Sequence, residues 1–84
     1  MNATENITNQ LKTHAHRVAS DGENYEFQGW ADEAGFLTDE RQDNGFRVDC
    51  WWDESDPSNP GYAYRAAVIE DGELAPGQEE SGEL

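Results

Sequence analysis

The sequence predicts an α+β fold in which one N-terminal helix packs on a three- to four-stranded antiparallel sheet. The runs Phe46–Trp52 and Tyr62–Ile69 place aromatic and β-branched side chains at alternate positions, which is typical of strands with one buried face. A third observation predicts the helix, because apolar residues near the N-terminus recur at spacings of four, four and three. These residues are Ile7, Leu11, Ala15 and Val18.

The helix is expected over Thr4–Ser20. Asn2 or Thr4 can serve as its N-cap, and Glu5 is placed in the first turn, where a negative charge is favourable. Asp21-Gly22 ends it. Because the apolar stripe is narrow, we expect the helix to lie on a sheet.

Two strands are expected before the central runs. Asn24–Ala31 is the first, and Phe36–Arg41 is a shorter second one. Asn44-Gly45 favours a tight turn, because both residues tolerate positive φ. We therefore expect Phe36–Gln42 to pair with Phe46–Trp52 in a hairpin.

The last strand of the sheet is expected before residue 70, and the residues after it are expected to leave the sheet. Asp53–Gly61 is an acidic loop with two prolines, and Tyr62–Ile69 is the last predicted strand. Glu73–Leu84 offers almost nothing to bury, which predicts a disordered acidic tail. The chain is thus read as one small α+β domain over residues 1–73 and a tail over residues 74–84.

Alternation assigns the side chains to two faces of the sheet. The face expected under the helix carries Tyr25, Phe27, Phe46, Val48, Trp52, Tyr64 and Val68. The opposite face is expected to carry Glu26, Trp30, Arg47, Asp49, Trp51, Asp53, Arg65 and Ile69. Two interpretations of its two tryptophans stay open: either the sheet curls and buries them, or they form a binding patch.

Charge is the most unusual property of the sequence. The net charge is −14, and its distribution is uneven: residues 1–20 sum to +1, whereas residues 21–84 hold 18 acids and three arginines and sum to −15. Nucleic acid and anionic membrane surfaces are excluded as direct ligands, because both are bound through Lys and Arg. A basic protein is the favoured partner.

No cofactor, metal site or catalytic site is predicted. His14 and His16 lie about 200° apart around a helix, so they cannot chelate one ion together. An EF-hand loop placed with Gly45 at its sixth position has Trp51 where the terminal Glu belongs. Cys50 lies on the inward face of its strand and is read as a small buried hydrophobe. We therefore expect a protein that is not an enzyme.

The location is expected to be cytoplasmic, or the host cell cytoplasm if the protein is phage-encoded. A single cysteine allows no disulfide within the chain, which favours a reducing compartment. No stretch has the form of a signal peptide or a membrane span.

The candidate partner-binding surface is an array of acids in turns and outward strand positions, expected around one end of the sheet, with Trp51 as an aromatic anchor. Its acids are Asp32, Glu33, Asp39, Glu40, Asp43, Asp49, Asp53, Glu54 and Asp56. In size, charge and charge placement the chain resembles small acidic proteins of phages and mobile elements. That group includes uracil-DNA glycosylase inhibitors, anti-restriction proteins and anti-CRISPR proteins. The resemblance carries no residue roles over, because no motif is shared.

The resemblance implies a non-catalytic inhibitor that mimics nucleic acid and occupies the basic groove of a nucleic-acid-binding protein or effector complex. The alternative is a small acidic adaptor or regulatory domain of a salt-adapted, haloarchaeal-type organism. The chain is expected to be a monomer or a homodimer, since exposed edge strands can pair between copies.

Overall fold

A computed structural model describes residues 2–84. In chain order it contains helix α1 and five strands: α1 (Ala3–Ser20), β1 (Phe27–Ala31), β2 (Leu37–Thr38), β3 (Gly45–Asp53), β4 (Gly61–Glu70) and β5 (Glu73–Glu83). The strands form one antiparallel sheet in the order β2-β1-β3-β4-β5. The α+β class and the single N-terminal helix are confirmed, whereas the expectation of three to four strands was too low.

Helix α1 is capped and anchored by its own polar side chains. Asn2 is the N-cap, and its side chain accepts a hydrogen bond of 2.8 Å from the Glu5 amide. Gln10 connects the helix to the β1–β2 turn, because its amide donates to the Gly35 carbonyl at 2.7 Å and its oxygen accepts from the Leu37 amide at 3.0 Å. These bonds fix the helix against the end of the sheet.

The core lies between α1 and the three central strands. Ile7 and Leu11 are fully buried and pack in one cluster with Ala31, Val48, Cys50 and Ala66. Around the cluster lie partly buried aromatic residues: Tyr25, Phe27, Phe46, Tyr62 and Tyr64. The helix-facing side of the central strands is therefore the one that alternation predicted.

The expected hairpin between Phe36–Gln42 and Phe46–Trp52 is wrong. β3 pairs with β1 and β4, with Val48 opposite Gly29 on one side and Ala66 on the other, while β2 is a two-residue edge strand. Gly45 starts β3 with a φ of 137°, and a Cβ at this position would collide with the Ala31 carbonyl. The glycine of Asn44-Gly45 thus permits a close approach to β1 and does not close a hairpin.

The expected disordered tail is not confirmed, because Glu73–Glu83 forms β5 and pairs with β4. Asp71 and Gly72 have φ values of 52° and 80°, which fits the type I′ turn of a two-residue hairpin. The ladder is irregular between Ala67 and Ile69 of β4, where β5 carries Pro76. An edge strand tolerates proline at such an irregularity, since the missing amide is not needed there.

Candidate binding surface

The face of the sheet opposite α1, here called the open face, has charged residues at its centre. Asp49 of β3 lies opposite Arg65 of β4, and Arg47 is two positions away on the same strand. The Asp49 carboxylate lies 3.4 Å from each guanidinium, and its side chain is only 21% exposed. Asp49 was predicted to bind a partner, yet its charge is offset within the chain.

The two tryptophans of the open face have different surroundings. The Arg47 guanidinium lies 5.2 Å from the centroid of the Trp30 ring, a cation–π contact, and Trp30 is partly buried. Trp51 is 38% exposed. Ile69, expected on the solvated face, is only 2% exposed. The sheet therefore covers part of this face with its own side chains and leaves Trp51 accessible.

The predicted acids do not lie around one end of the sheet. Asp32, Glu33 and Asp43 lie where β1 ends and β3 begins, and they line one shallow depression. The other group lies at the far end of β3 and consists of its last residue, Asp53, and of Glu54 and Asp56, which follow it. The two groups lie at opposite ends of β3, whose nine residues span about 26 Å at strand spacing.

Asp39 and Glu40 lie at a third place, directly after the edge strand β2. Both are exposed. The Glu40 backbone amide donates to the Thr38 hydroxyl at 3.1 Å. These two acids extend the negative surface along the β2 edge.

Asp32 has a structural role in the β1–β2 turn. Its carboxylate accepts hydrogen bonds of 3.0 Å from the amides of Ala34 and Phe36. Its backbone carbonyl accepts a third bond from the Gly35 amide at 2.9 Å. An aspartate that holds its own turn in this way is typical of Asx-type turns, so Asp32 has a function in the fold whether or not it meets a partner.

The acids that follow β3 are also held by local hydrogen bonds. The Asp53 carboxylate accepts from the Ser55 amide at 2.9 Å, and this backbone bond, with a side-chain bond from Ser55, lowers the pKa of Asp53. Asp56 accepts from the amide and hydroxyl of Ser58, and Glu54 accepts from the Trp52 indole at 2.7 Å. The three carboxylates are therefore directed by the loop, with Asp53 kept ionised.

Strand β5 places on the edge of the sheet four acids that were not among the predicted partner-binding residues: Glu73, Glu79, Glu80 and Glu83. All four are exposed. The signal that could have found them is Asp71-Gly72, which has the composition of a tight hairpin turn and follows an alternating strand.

The environment of the cysteine differs from that of a nucleophile. Cys50 is 2% exposed, and burial raises the pKa of its thiol to about 11. A reactive cysteine needs a lowered pKa and access to solvent. Burial, and secondarily the neighbouring Cys50, raises the pKa of Tyr25 to about 12. Both groups stay protonated at neutral pH.

Within residues 2–84, no three or more His, Cys, Asp or Glu side chains are arranged to hold a metal ion. His14 is exposed and stacks on Tyr25 at a centroid distance of 6.2 Å. No helix in this part of the chain is long and apolar enough to cross a membrane.

Comparison of the chain with protein-family models, curated proteins and solved structures finds no match. The most distinctive surface of the described residues is the open face, which has ion-paired charges at its centre and carboxylates around it.

Proposed function

We propose that this chain is a non-catalytic inhibitor that occupies the basic nucleic-acid-binding groove of a host defence or repair protein. The observation that carries the proposal is the acidic rim, defined as the exposed and partly exposed carboxylates at the ends and edges of the sheet. Its members where β3 begins and β4 ends are Glu33, Asp43 and Glu70; along β5 they are Glu73, Glu79 and Glu83; where β3 ends they are Asp53, which is partly exposed, Glu54 and Asp56; and beside β2 they are Asp39 and Glu40.

Neighbouring cations offset only a small part of the charge of the rim. Arg47 and Arg65 share the single carboxylate of Asp49, which leaves one positive charge at the centre of the open face, and Arg41 is the third arginine of residues 21–84. Two unmatched cations therefore oppose the eleven carboxylates of the rim. Helix α1, on the other face, carries one acid and two basic residues. The carboxylates therefore lie mainly around the ends and edges of the sheet and away from α1, which favours oriented encounter with a basic surface.

The dimensions of the molecule also suit a nucleic-acid groove. Its principal extents are 39 × 23 × 22 Å, so its long axis is close to one helical turn of duplex DNA, about 34–36 Å. The two acidic ends, about 26 Å apart along β3, would both lie within a groove of that length. The partner's Lys and Arg side chains would contact carboxylates in place of phosphates.

The test is affinity capture of binding proteins from a bacterial lysate at low salt, followed by elution in a salt gradient and mass spectrometry. We expect a nucleic-acid enzyme or effector complex to elute as a discrete species, to be displaced by duplex DNA and to be inhibited by the protein. The double variant Asp53→Lys/Glu54→Lys is expected to elute at much lower salt, because each reversal changes the charge of the rim by two units.

The matched control is Asp21→Lys/Glu23→Lys, which makes the same change in net charge next to the C-terminus of α1. Both residues are exposed and lie outside the acidic rim. Equal loss of retention in the two double variants would contradict the proposal, since it would mean that net charge alone governs capture. Elution of only ribosomal and histone-like proteins would contradict it in the same way.

A second candidate function is a small adaptor or regulatory domain of a salt-adapted organism. The observation that favours it is the dispersal of the acids over both ends and both edges of the sheet, where no compact patch is formed. In that case the carboxylates serve solvation, and their mutual repulsion must be screened by salt.

Urea unfolding at several salt concentrations distinguishes the two candidates. A salt-adapted domain is expected to lack a cooperative unfolding transition in low-salt buffer and to gain one at molar salt. An inhibitor that works in an ordinary cytoplasm is expected to unfold cooperatively at low salt. Charge reversal at Asp53 and Glu54 would raise the free energy of unfolding of a salt-adapted domain and would weaken the capture of a partner by an inhibitor.

A further inference from the structure

Strand β5 has one free edge. It is the last strand of the sheet order, and its other edge pairs with β4. From Glu79 to Glu83 the pairing is regular, with partners from Ala67 back to Ala63. This segment offers five residues of extended backbone, about 16 Å, to a further strand.

The direction of the backbone groups follows from one hydrogen bond. The Leu84 amide donates to the Tyr62 carbonyl at 2.9 Å, towards β4. In an antiparallel ladder the residues that bond to a given neighbour alternate along the strand. Gly82 and Glu80 therefore also bond to β4, whereas Glu79, Ser81 and Glu83 direct their amides and carbonyls to the free edge.

The charges along this edge restrict what can pair with it. Glu79 and Glu83 project from the side of the open face and Glu80 from the side of α1, so both faces of the edge are negative. A second copy of β5 would place glutamates beside glutamates, which is destabilising. A strand with Lys or Arg at the opposing positions would bring opposite charges together.

We propose that the free edge of β5 takes up an extended basic segment of a partner protein by antiparallel or parallel strand addition. Backbone hydrogen bonds to Glu79, Ser81 and Glu83 would hold the segment, and its Lys or Arg side chains would pair with the flanking glutamates. In this mode main-chain bonds supply affinity and alternate side chains supply specificity. The inference rests on the proposed function only in assigning the partner a basic surface.

The test uses the full chain and a synthetic heptapeptide, Lys-Thr-Lys-Val-Lys-Thr-Lys, with blocked ends. The comparator has the same side chains on an N-methylated backbone, which keeps the charge and cannot donate backbone hydrogen bonds. Amide hydrogen exchange is followed by NMR. Strand addition is expected to slow exchange at Glu79, Ser81 and Glu83 by at least tenfold, with little change at Glu80 and Gly82, which are already bonded to β4.

The variant Ser81→Pro removes one outward amide without any change in charge. Proline is tolerated where the amide of an edge strand faces solvent. We expect it to bind the heptapeptide about tenfold more weakly than the control Ser81→Thr, as the loss of one backbone hydrogen bond implies. If Ser81→Pro fails to fold, semisynthesis can place an N-methyl group on the Ser81 amide. This change removes the same hydrogen-bond donor and keeps the serine side chain.

Three outcomes would overturn the inference. One is equal binding of the heptapeptide and its N-methylated comparator, which would reduce the interaction to charge. Another is slow exchange at Ser81 without peptide in a protein that sediments as a dimer, which would assign the edge to a second copy. The third is equal affinity of Ser81→Pro and Ser81→Thr. None of these affects capture of a nucleic-acid enzyme by the acidic rim, so the two proposals fail separately.

Discussion

The Asp71-Gly72 turn controls whether residues 73–83 can pair with β4, and Gly72→Val tests it. Gly72 has a φ of 80°. A left-handed conformation costs an L-residue roughly 1–2 kcal/mol, and a β-branched one is a genuine outlier there. The nearest atom to an added Cβ is the Arg41 guanidinium at 3.4 Å, the flexible end of a side chain, so backbone strain is the main cost. We expect the free energy of unfolding to fall by about 1–2 kcal/mol, which lowers the Tm by about 4–8 °C for each kcal/mol.

Gly61→Val is the matched control for this prediction. Gly61 begins β4, is not among the positive-φ residues, and has no atom within 4 Å of an added Cβ. Since valine is favoured in strands, the control is expected to change stability by about 0.5 kcal/mol or less. Urea unfolding followed by Trp fluorescence gives the free energies, and hydrogen exchange at Glu80 and Gly82 reports the pairing of β5. An equal loss of unfolding free energy in Gly72→Val and Gly61→Val would refute the reasoning. Amide exchange at Glu80 and Gly82 of the wild-type protein that is as fast as in an unfolded chain would also refute it.

Three further predictions concern the helix anchor, the open face and the core. Gln10→Ala leaves the Leu37 amide and the Gly35 carbonyl without their side-chain partner. Urea unfolding should show a free energy of unfolding that is lower by about 1–2 kcal/mol. The control Thr13→Ala, at an exposed helix position, should have little effect. Asp49→Asn should lower the free energy of unfolding by only about 0.2–1 kcal/mol, and by less at high salt, because both its arginine partners are partly exposed. A loss of stability that does not depend on salt would contradict the ion-pair assignment. Burial raises the pKa of the Cys50 thiol from 9.0 to about 11, so the stabilising contribution of the protonated thiol is complete below pH 9 and is lost as the pH rises towards 11. The Cys50→Ala variant should therefore lose less stability than the wild type between pH 9 and pH 11, although Tyr25 contributes in the same direction at higher pH. Parallel pH profiles of stability in the two proteins would contradict this prediction.

The helix and the two longest central strands were predictable because their signals are local. The predicted helix Thr4–Ser20 differs from α1 by one residue, since the apolar stripe and the cap are both encoded within the segment itself. Phe46–Trp52 and Tyr62–Ile69 each fall one residue short at both ends of β3 and β4. Their alternation fixes which side faces the core, because the side-chain period of a strand is two.

The pairing of the strands was not predictable from local chemistry. Asn44-Gly45 and Asp71-Gly72 are both suited to a tight hairpin, yet only the second closes one. At Gly45 positive φ serves the approach to the Ala31 carbonyl, a contact between segments that are distant in sequence. β5 escaped prediction because an edge strand of exposed glutamates needs only backbone bonds to β4 and has no apolar alternation to detect.

The candidate site divides in the same way. The sequence by itself determined how much negative charge the protein has, that it follows the helix, and that Trp51 and Asp49 share a strand face. Only the tertiary structure decided where that charge acts. The charge of Asp49 is offset by Arg47 and Arg65, and the other predicted acids lie at the two ends of β3, about 26 Å apart, and beside β2. Strand β5 adds an acidic edge to the sheet. The physical reason is that net charge is a sum over residues, whereas the potential that a partner meets depends on distances between residues, and those are set by which strands pair.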